Sequence, residues 1–480
     1  MDTNKEKAMR IRNCTFCVMM LLLFVSIAWA RNKLESNIDD QMAVEVTVYN
    51  SNLGLIKDIR QVELPKGLGE LRFMDVASHI LPVTVHAKSL DYPEVFGLLE
   101  QNYEYDLMNA DKLLDKYVGK KIKIIDWNKF KDRKDAVTAI LLSNNQGQIY
   151  KINDEIYLGH PGYKVLPQLP ENLIANPTLV WLYQNSARKN NKLEVSYLTE
   201  NINWKADYVL LLNQADTAAD ISGWVTLDNR SGAIYRDARL KLVAGDVHRV
   251  EKKIKAGRFA METMMADRGK QFKEKEFFEY HIYDLQRKTT IKNRQKKQLR
   301  LLESANIPVK KEFQVHGKGL FLTGKYRTQN YRQPVDVNIT FKNNKESKLG
   351  IPLPAGVMRL YKQDHEGSLQ FVGEDKIEHT PKNEDVKLKI GESFDVVAER
   401  VQTDYKQIST GLHESAWAIT LKNHKTEDII VSIVEPLSGN WQVVKSSLPY
   451  KKIDAFTIRF DIRIPKGKTA VVTYRVRVGL

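Results

Sequence analysis

A chain of 480 residues with a formal net charge of +15 and only two cysteines is long for a single hydrophobic core and too poor in cysteine for a disulfide framework. The excess of Lys and Arg favours anionic surfaces. No recognised nucleic-acid module accompanies that charge, so nucleic acid is not an expected partner.

The first thirty residues read as a secretory signal peptide. Lys5, Lys7, Arg10 and Arg12 precede the apolar run Val18 to Ile27, and Ala28-Trp29-Ala30 supplies small residues for cleavage. The run is about ten residues long, half of what a membrane-spanning helix needs. Cleavage after Ala30 is therefore expected, with no transmembrane segment afterwards. Cys14 and Cys17 leave with the leader, which excludes thiol and zinc-thiolate chemistry from the product. A cysteine-free exported protein of this kind is expected to be bacterial and periplasmic or at the cell surface.

Strand signals dominate from residue 43. Val44-Glu45-Val46-Thr47-Val48-Tyr49 alternates apolar and polar, and the turn 50–54 follows. Further strands are predicted near 55–63, 69–73, 83–89, 121–126, 136–143 and 148–158. One helix is predicted from Leu107 to Tyr117, stopped by Gly119. A β-rich N-terminal domain is expected over 41–177, ending in a proline-punctuated stretch.

The central region, 178–311, opens on Leu179-Val180-Trp181-Leu182-Tyr183 and continues through strands at 193–199, 204–213, 219–228 and 238–246. Asp228-Asn229-Arg230-Ser231-Gly232 reads as a tight reversal. Residues 251–276 are polar and read as a solvated helix or a mobile loop. For 286–302 the pattern allows either a strand or a helix through Ile291, Gln295, Leu299 and Leu302.

The C-terminal region, 312–480, has the most regular alternation. In Phe456 to Ile464 every second residue is apolar, and Val472, Tyr474, Val476 and Val478 repeat the pattern. The predicted class is mainly β: two or more antiparallel β-sandwich domains, the last immunoglobulin-like, with a polar helical or mobile insertion.

Two stretches carry a family resemblance: Glu194 to Leu210, containing Tyr197, Asn201 and Trp204, and Gly223 to Gly232 running on to Asp237-Ala238-Arg239 and Val247. Together they resemble the bacterial domain-of-unknown-function family 4139, whose members include mucoidy-inhibitor-like proteins. Residues 279–283 and 307–309 also fit. The resemblance covers roughly 180–480 and implies an exported, β-rich envelope protein with no catalytic residues to carry over. Tyr235 departs from the pattern, since relatives often have tryptophan there. Trp204, Ala206 and Tyr208 fall on one strand face, which reads as core, with a sugar-stacking platform as the alternative.

Chemical motifs are not found. His413-Glu414 lacks a second histidine, Trp417 standing in its place, and the spacings of His79 with His86 and of His365 with His379 are not diagnostic of a metal site. Gly391-Glu392-Ser393-Phe394-Asp395 breaks the nucleophile elbow, and the glycines of 317–324 do not make a phosphate loop. No cofactor and no metal is expected. The aromatic and acidic mix in Gln101 to Asp106 suits a glycan site or a polar loop. The densest basic cluster is Lys292, Arg294, Lys296, Lys297 and Arg300, a candidate contact for anionic polymers or head groups, or a solvated face. The leading functional expectation is a non-enzymatic envelope protein acting in binding or assembly, with envelope proteins or anionic glycans as partners. The alternatives are a glycan-active hydrolase using a carboxylate pair and an adhesion protein holding anionic surface polymers.

Overall fold

The computed structural model describes residues 33–479, apart from 106–108, 129–132, 170–175, 187–188, 246–271, 278–279, 319–321, 323 and 327–330. The leader and most of the polar stretch 251–276 thus lie outside the described residues. Strands make up nearly all the regular structure, in several mostly antiparallel sheets. The described helices are one α-helix, Ala110–Asp115, and two 3-10 turns.

Alternation explains most of these strands. Ile202–Leu212 buries every second side chain, as does Leu53–Leu64, and each therefore presents one face to a core. A five-stranded sheet runs Gln295–Pro308, Ala218–Asn229, Ile202–Leu212, Gly356–Gln363, Leu369–Ile377. The largest sheet places Tyr235–Ala244, Gln41–Tyr49, Leu53–Leu64 and Lys189–Glu200 side by side. A four-stranded sheet containing Gly67–Met74 and Thr178–Asn185 joins them around one continuous core with Val46, Ile56, Leu71, Trp181, Leu193, Tyr208 and Leu360. Deep in this body Arg60 donates to Asp58 and to the Ser36 carbonyl, and its guanidinium lies 3.7 Å from the Phe73 ring centroid.

Sheets draw strands from more than one of the regions 41–177, 178–311 and 312–480. Lys189–Glu200 pairs with Leu53–Leu64 along twelve residues, and Gly356–Gln363 pairs in parallel with Ile202–Leu212. Local turn chemistry marks where a strand ends and carries no record of which distant strand it joins.

The C-terminal part closes as a sandwich of a six-stranded and a five-stranded sheet. Val431, Ile433, Phe460 and Ile464 face Trp417, Ile419, Val472 and Val476 in a second core. The alternation in Phe456 to Ile464 becomes Thr457–Ile464, with Ile458, Phe460, Ile462 and Ile464 buried.

A third unit is an insertion between neighbours. Phe96–Glu104 and Thr178–Asn185 pair directly, and the intervening chain builds its own five-stranded sheet, in the order Glu155–Leu158, Ile149–Ile152, Arg133–Ser143, Lys121–Asn128, Tyr163–Val165. Ala110–Asp115 covers one face of it, capped by the Asn109 side chain accepting from the Lys112 N–H at 2.9 Å. Its small core holds Leu114, Tyr117, Ile122, Ile124, Leu141, Tyr150 and Ile152. The segment 286–302, open between helix and strand, forms Thr289–Ile291 and Gln295–Pro308. The second of these pairs with Ala218–Asn229, and that partner decides between the two periodicities.

Candidate functional site

Four turns meet at one end of the body and enclose a cleft of about 790 Å³, lined by Ser78, His79, Asn201, Asp228, Arg230, Gly232, Asn293, Arg294 and Lys296. The turn 229–233 is held from inside by Asn229, which is fully buried. Its Oδ1 accepts from the Ser231 N–H at 3.1 Å and the Ser231 hydroxyl at 2.8 Å. Its Nδ2 donates to the Ala233 carbonyl at 3.0 Å and to the Lys292 carbonyl at 3.1 Å, tying the turn to the one at 292–294. Asparagine serves here because one side chain both accepts and donates, meeting the Ser231 N–H and the Ala233 and Lys292 carbonyls at once.

Backbone bonds bring in the other two walls. The His79 N–H donates to the Ser231 carbonyl at 3.1 Å, the Glu200 N–H to the His79 carbonyl at 2.9 Å, and the Arg230 N–H to the Asn201 carbonyl at 2.7 Å. Gly232, at φ +90°, lies so close to Ser78 that a Cβ would come within 2.2 Å of its hydroxyl oxygen. Only glycine combines that backbone with that approach. Below the turn the Tyr235 hydroxyl lies 2.8 Å from the Ser231 hydroxyl, and burial pushes the phenol up so that it keeps its proton. Tyr235 thus fills its site as a buried, hydrogen-bonded side chain.

The rim is cationic. Arg230 sends Nε to Asp228 Oδ1 at 3.3 Å while most of its side chain is in solvent. Arg294 sits at φ +54° in the turn between Thr289–Ile291 and Gln295–Pro308, and Lys296 is registered opposite Asp228. Asp228 is the single carboxylate among the lining residues, against Arg230, Arg294 and Lys296. Two guanidiniums and an ammonium on a fixed frame suit phosphate, sulfate or carboxylate oxygens. No described hydrogen bond joins the Ser78 hydroxyl to the His79 ring, and the lining offers no second carboxylate to face Asp228.

The basic cluster is divided by this geometry. Arg294 and Lys296 reach the cleft. Lys292 contributes its backbone: its carbonyl accepts from Asn229, and its N–H donates to Gln295 Oε1 at 3.1 Å. Lys297 turns to the other strand face, with Nζ on the Thr290 carbonyl at 3.0 Å. Arg300 lies further along, bonded to Glu303 at 2.6 Å and 5.9 Å from the Trp224 ring centroid. Strand alternation separates residues that look contiguous in sequence. Arg230 and His79 were not among the sequence candidates, although Arg230 sits in the turn already singled out.

Other sequence candidates take structural places. Trp204 is buried with its indole N–H on the Val243 carbonyl at 3.1 Å, and the Tyr208 hydroxyl donates to the Pro354 carbonyl at 2.8 Å, so neither offers a stacking platform. Gln101 accepts from the Trp181 indole at 3.0 Å, and the Tyr103 hydroxyl donates to the Ser78 carbonyl at 3.0 Å. His379 accepts from the Ala355 N–H, and His413 pairs with the Tyr405 hydroxyl. Among the described residues no group of three or more His, Cys, Asp or Glu could hold a metal ion. No helix among them is long and apolar enough to cross a membrane.

No family model matches the chain, and no curated protein does.

Proposed function

We propose that this chain is an exported bacterial envelope protein of the family 4139 type, and that it binds rather than catalyses. The cleft between the turns at 78–79, 201, 228–232 and 293–296 is its binding site for acidic groups of an envelope polymer. The observation that carries this reading is the cleft lining: Arg230, Arg294 and Lys296 around a single carboxylate, on a frame anchored by the buried Asn229. Both family-like stretches contribute to that frame, one through Asn201 and the other through 228–232. Export is supported by the leader-like first thirty residues. A two-carboxylate hydrolysis at this cleft would need a partner for Asp228 that the lining does not supply.

Titration of the chain with a polyuronate and with a sulfated glycan tests the proposal. Binding that weakens with salt, and that Arg230→Ala with Arg294→Ala lowers by about tenfold or more, is the expected result. Equal binding by the double variant, or none by the parent chain, overturns it. For export, expression in a bacterium with a leader-processing pathway is expected to yield a product beginning at Arg31.

A further inference from the structure

Among the described residues the inserted sheet is covered on one face only. Ile122, Ile124, Leu141, Tyr150 and Ile152 point inward to its core, so the register places the alternate residues on the outward face. Ile156 is paired with Lys151 and Leu158 with Ile149 on one edge strand. Tyr163 is paired with Ile125 and Val165 with Lys123 on the other. The apolar side chains are well exposed: Leu158 at 85%, Tyr163 at 79% and Ile156 at 66%. Apolar side chains this exposed on both edges of one sheet face are unusual unless something covers them.

Charge identifies the cover. Lys121 and Lys123 stand on the same face between the two apolar edges, opposite Ile140 and Thr138. Lys151 stands there too, bridged to Asp154 in the adjoining turn at 2.8 Å. No carboxylate occupies a described paired position of that face, since Asp126, Asp135 and Glu155 fall on the opposite parity. A second copy meeting this face about a two-fold axis would set lysine near lysine, which an isologous contact penalises. A folded protein partner anchors its hot spots in pockets, and the cleft at 78–79 and 228–232 lies elsewhere, as does a second one lined by Arg332, Phe394 and His424. Apolar side chains, a tyrosine and lysines spread over one sheet face match the boundary of an anionic bilayer, where hydrocarbon takes the first, the interface takes the ring and lipid phosphates take the ammonium groups.

We infer that the outward face of the inserted sheet docks on an anionic lipid surface, through Ile156, Leu158 and Tyr163 with Lys121 and Lys123. The inference shares with the proposed function only the envelope setting, and is independent of the cleft. The test is co-sedimentation of the chain from Arg31 onward, which retains every described element and lacks the apolar leader run. The vesicles are an equal mixture of phosphatidylglycerol and phosphatidylethanolamine, with phosphatidylcholine vesicles beside them. Binding to the anionic vesicles alone is expected, with a loss of about tenfold for Leu158→Ser with Tyr163→Ser. Lys121→Glu and Lys123→Glu are each expected to lower it by about fivefold. These exposed positions leave the fold intact, which an unchanged circular dichroism melt verifies. Arg230→Ala with Arg294→Ala should sediment like the parent, so a failure of the cleft reading and a failure of this one are told apart. No vesicle binding, binding that the three face variants leave unchanged, or a dimer in sedimentation velocity that Leu158→Ser dissolves would each overturn the inference.

Discussion

The C-terminal sandwich has a second sheet to cover its first, whereas among the described residues the inserted sheet has a short helix and loops on one side. In the sandwich, closure puts even charged groups inside. Arg400, from Val396–Ser409, is buried against Glu435 of Ile429–Pro436, with Gln333 Oε1 at 2.8 Å and the Tyr474 hydroxyl at 3.4 Å completing its donors. Burial alone would lower the Arg400 pKa, and the neighbouring Glu435 carboxylate outweighs it, so the guanidinium stays charged. In the inserted sheet nothing comparable is enclosed, and one face is left to the surroundings. The difference teaches that a β-layer's chemistry follows from what covers it, since the strand patterns of both units are built on the same alternation.

Breaking the closed side should have the largest effect. Glu435→Gln leaves the Arg400 charge buried without its counter-ion and is expected to cost about 3–5 kcal/mol in denaturant unfolding. Arg400→Met combined with Glu435→Leu should cost less than the single change, because no unpaired charge remains. A single variant within about 1 kcal/mol of the parent would show that the pair is not sealed as described. Next in size, Leu141→Ala in the small core should cost about 2–4 kcal/mol. Its signature is locality: hydrogen exchange should accelerate across 121–165 while strand Ile429–Pro436 stays protected.

The open face predicts a much smaller response. Ile156→Ser is expected to change stability by no more than about 0.5 kcal/mol, because that side chain faces outward in the isolated chain. A cost like that of Leu141→Ala would mean the face is covered within the chain itself. The smallest effect concerns pH at the rim of the sandwich. Glu414 accepts from Arg477 and then Arg475, which hold its carboxyl below the ordinary glutamate range. A depressed carboxyl pKa gives stability that is present above the unfolded-state value and lost as pH falls through the folded one. Glu414→Gln should therefore flatten the acid side of the stability curve, with a change at neutral pH below about 1 kcal/mol.

Legibility followed the range of the interaction. Strand positions in 41–64, 202–229 and 457–478 were readable because alternation against one core is a local property of the chain. The helix expected over 107–117 was readable in part from its spacing, and forms Ala110–Asp115 among the described residues. The site was half legible: Arg294 and Lys296 stood out by charge density, while His79 and Arg230 reach the same cleft through backbone bonds to Ser231 and Asn201. Those bonds join turns far apart in sequence and have no local signature. Arg300 and Lys297 looked equivalent to Arg294 in the cluster; strand parity turns Lys297 to the other face, and Arg300 is set apart by its distance along the strand.

By itself, the sequence determined the class of structure and the sign of its charge, because periodicity and composition act residue by residue. It also marked the turn at 228–232 through its run of asparagine, serine and glycine between two strands. Tertiary structure alone decided which strands share a sheet, that Gly356–Gln363 returns to pair with Ile202–Leu212, and that one inserted sheet has an uncovered face. Those outcomes depend on contacts between distant segments, where loop closure and the burial of whole faces outweigh any local preference.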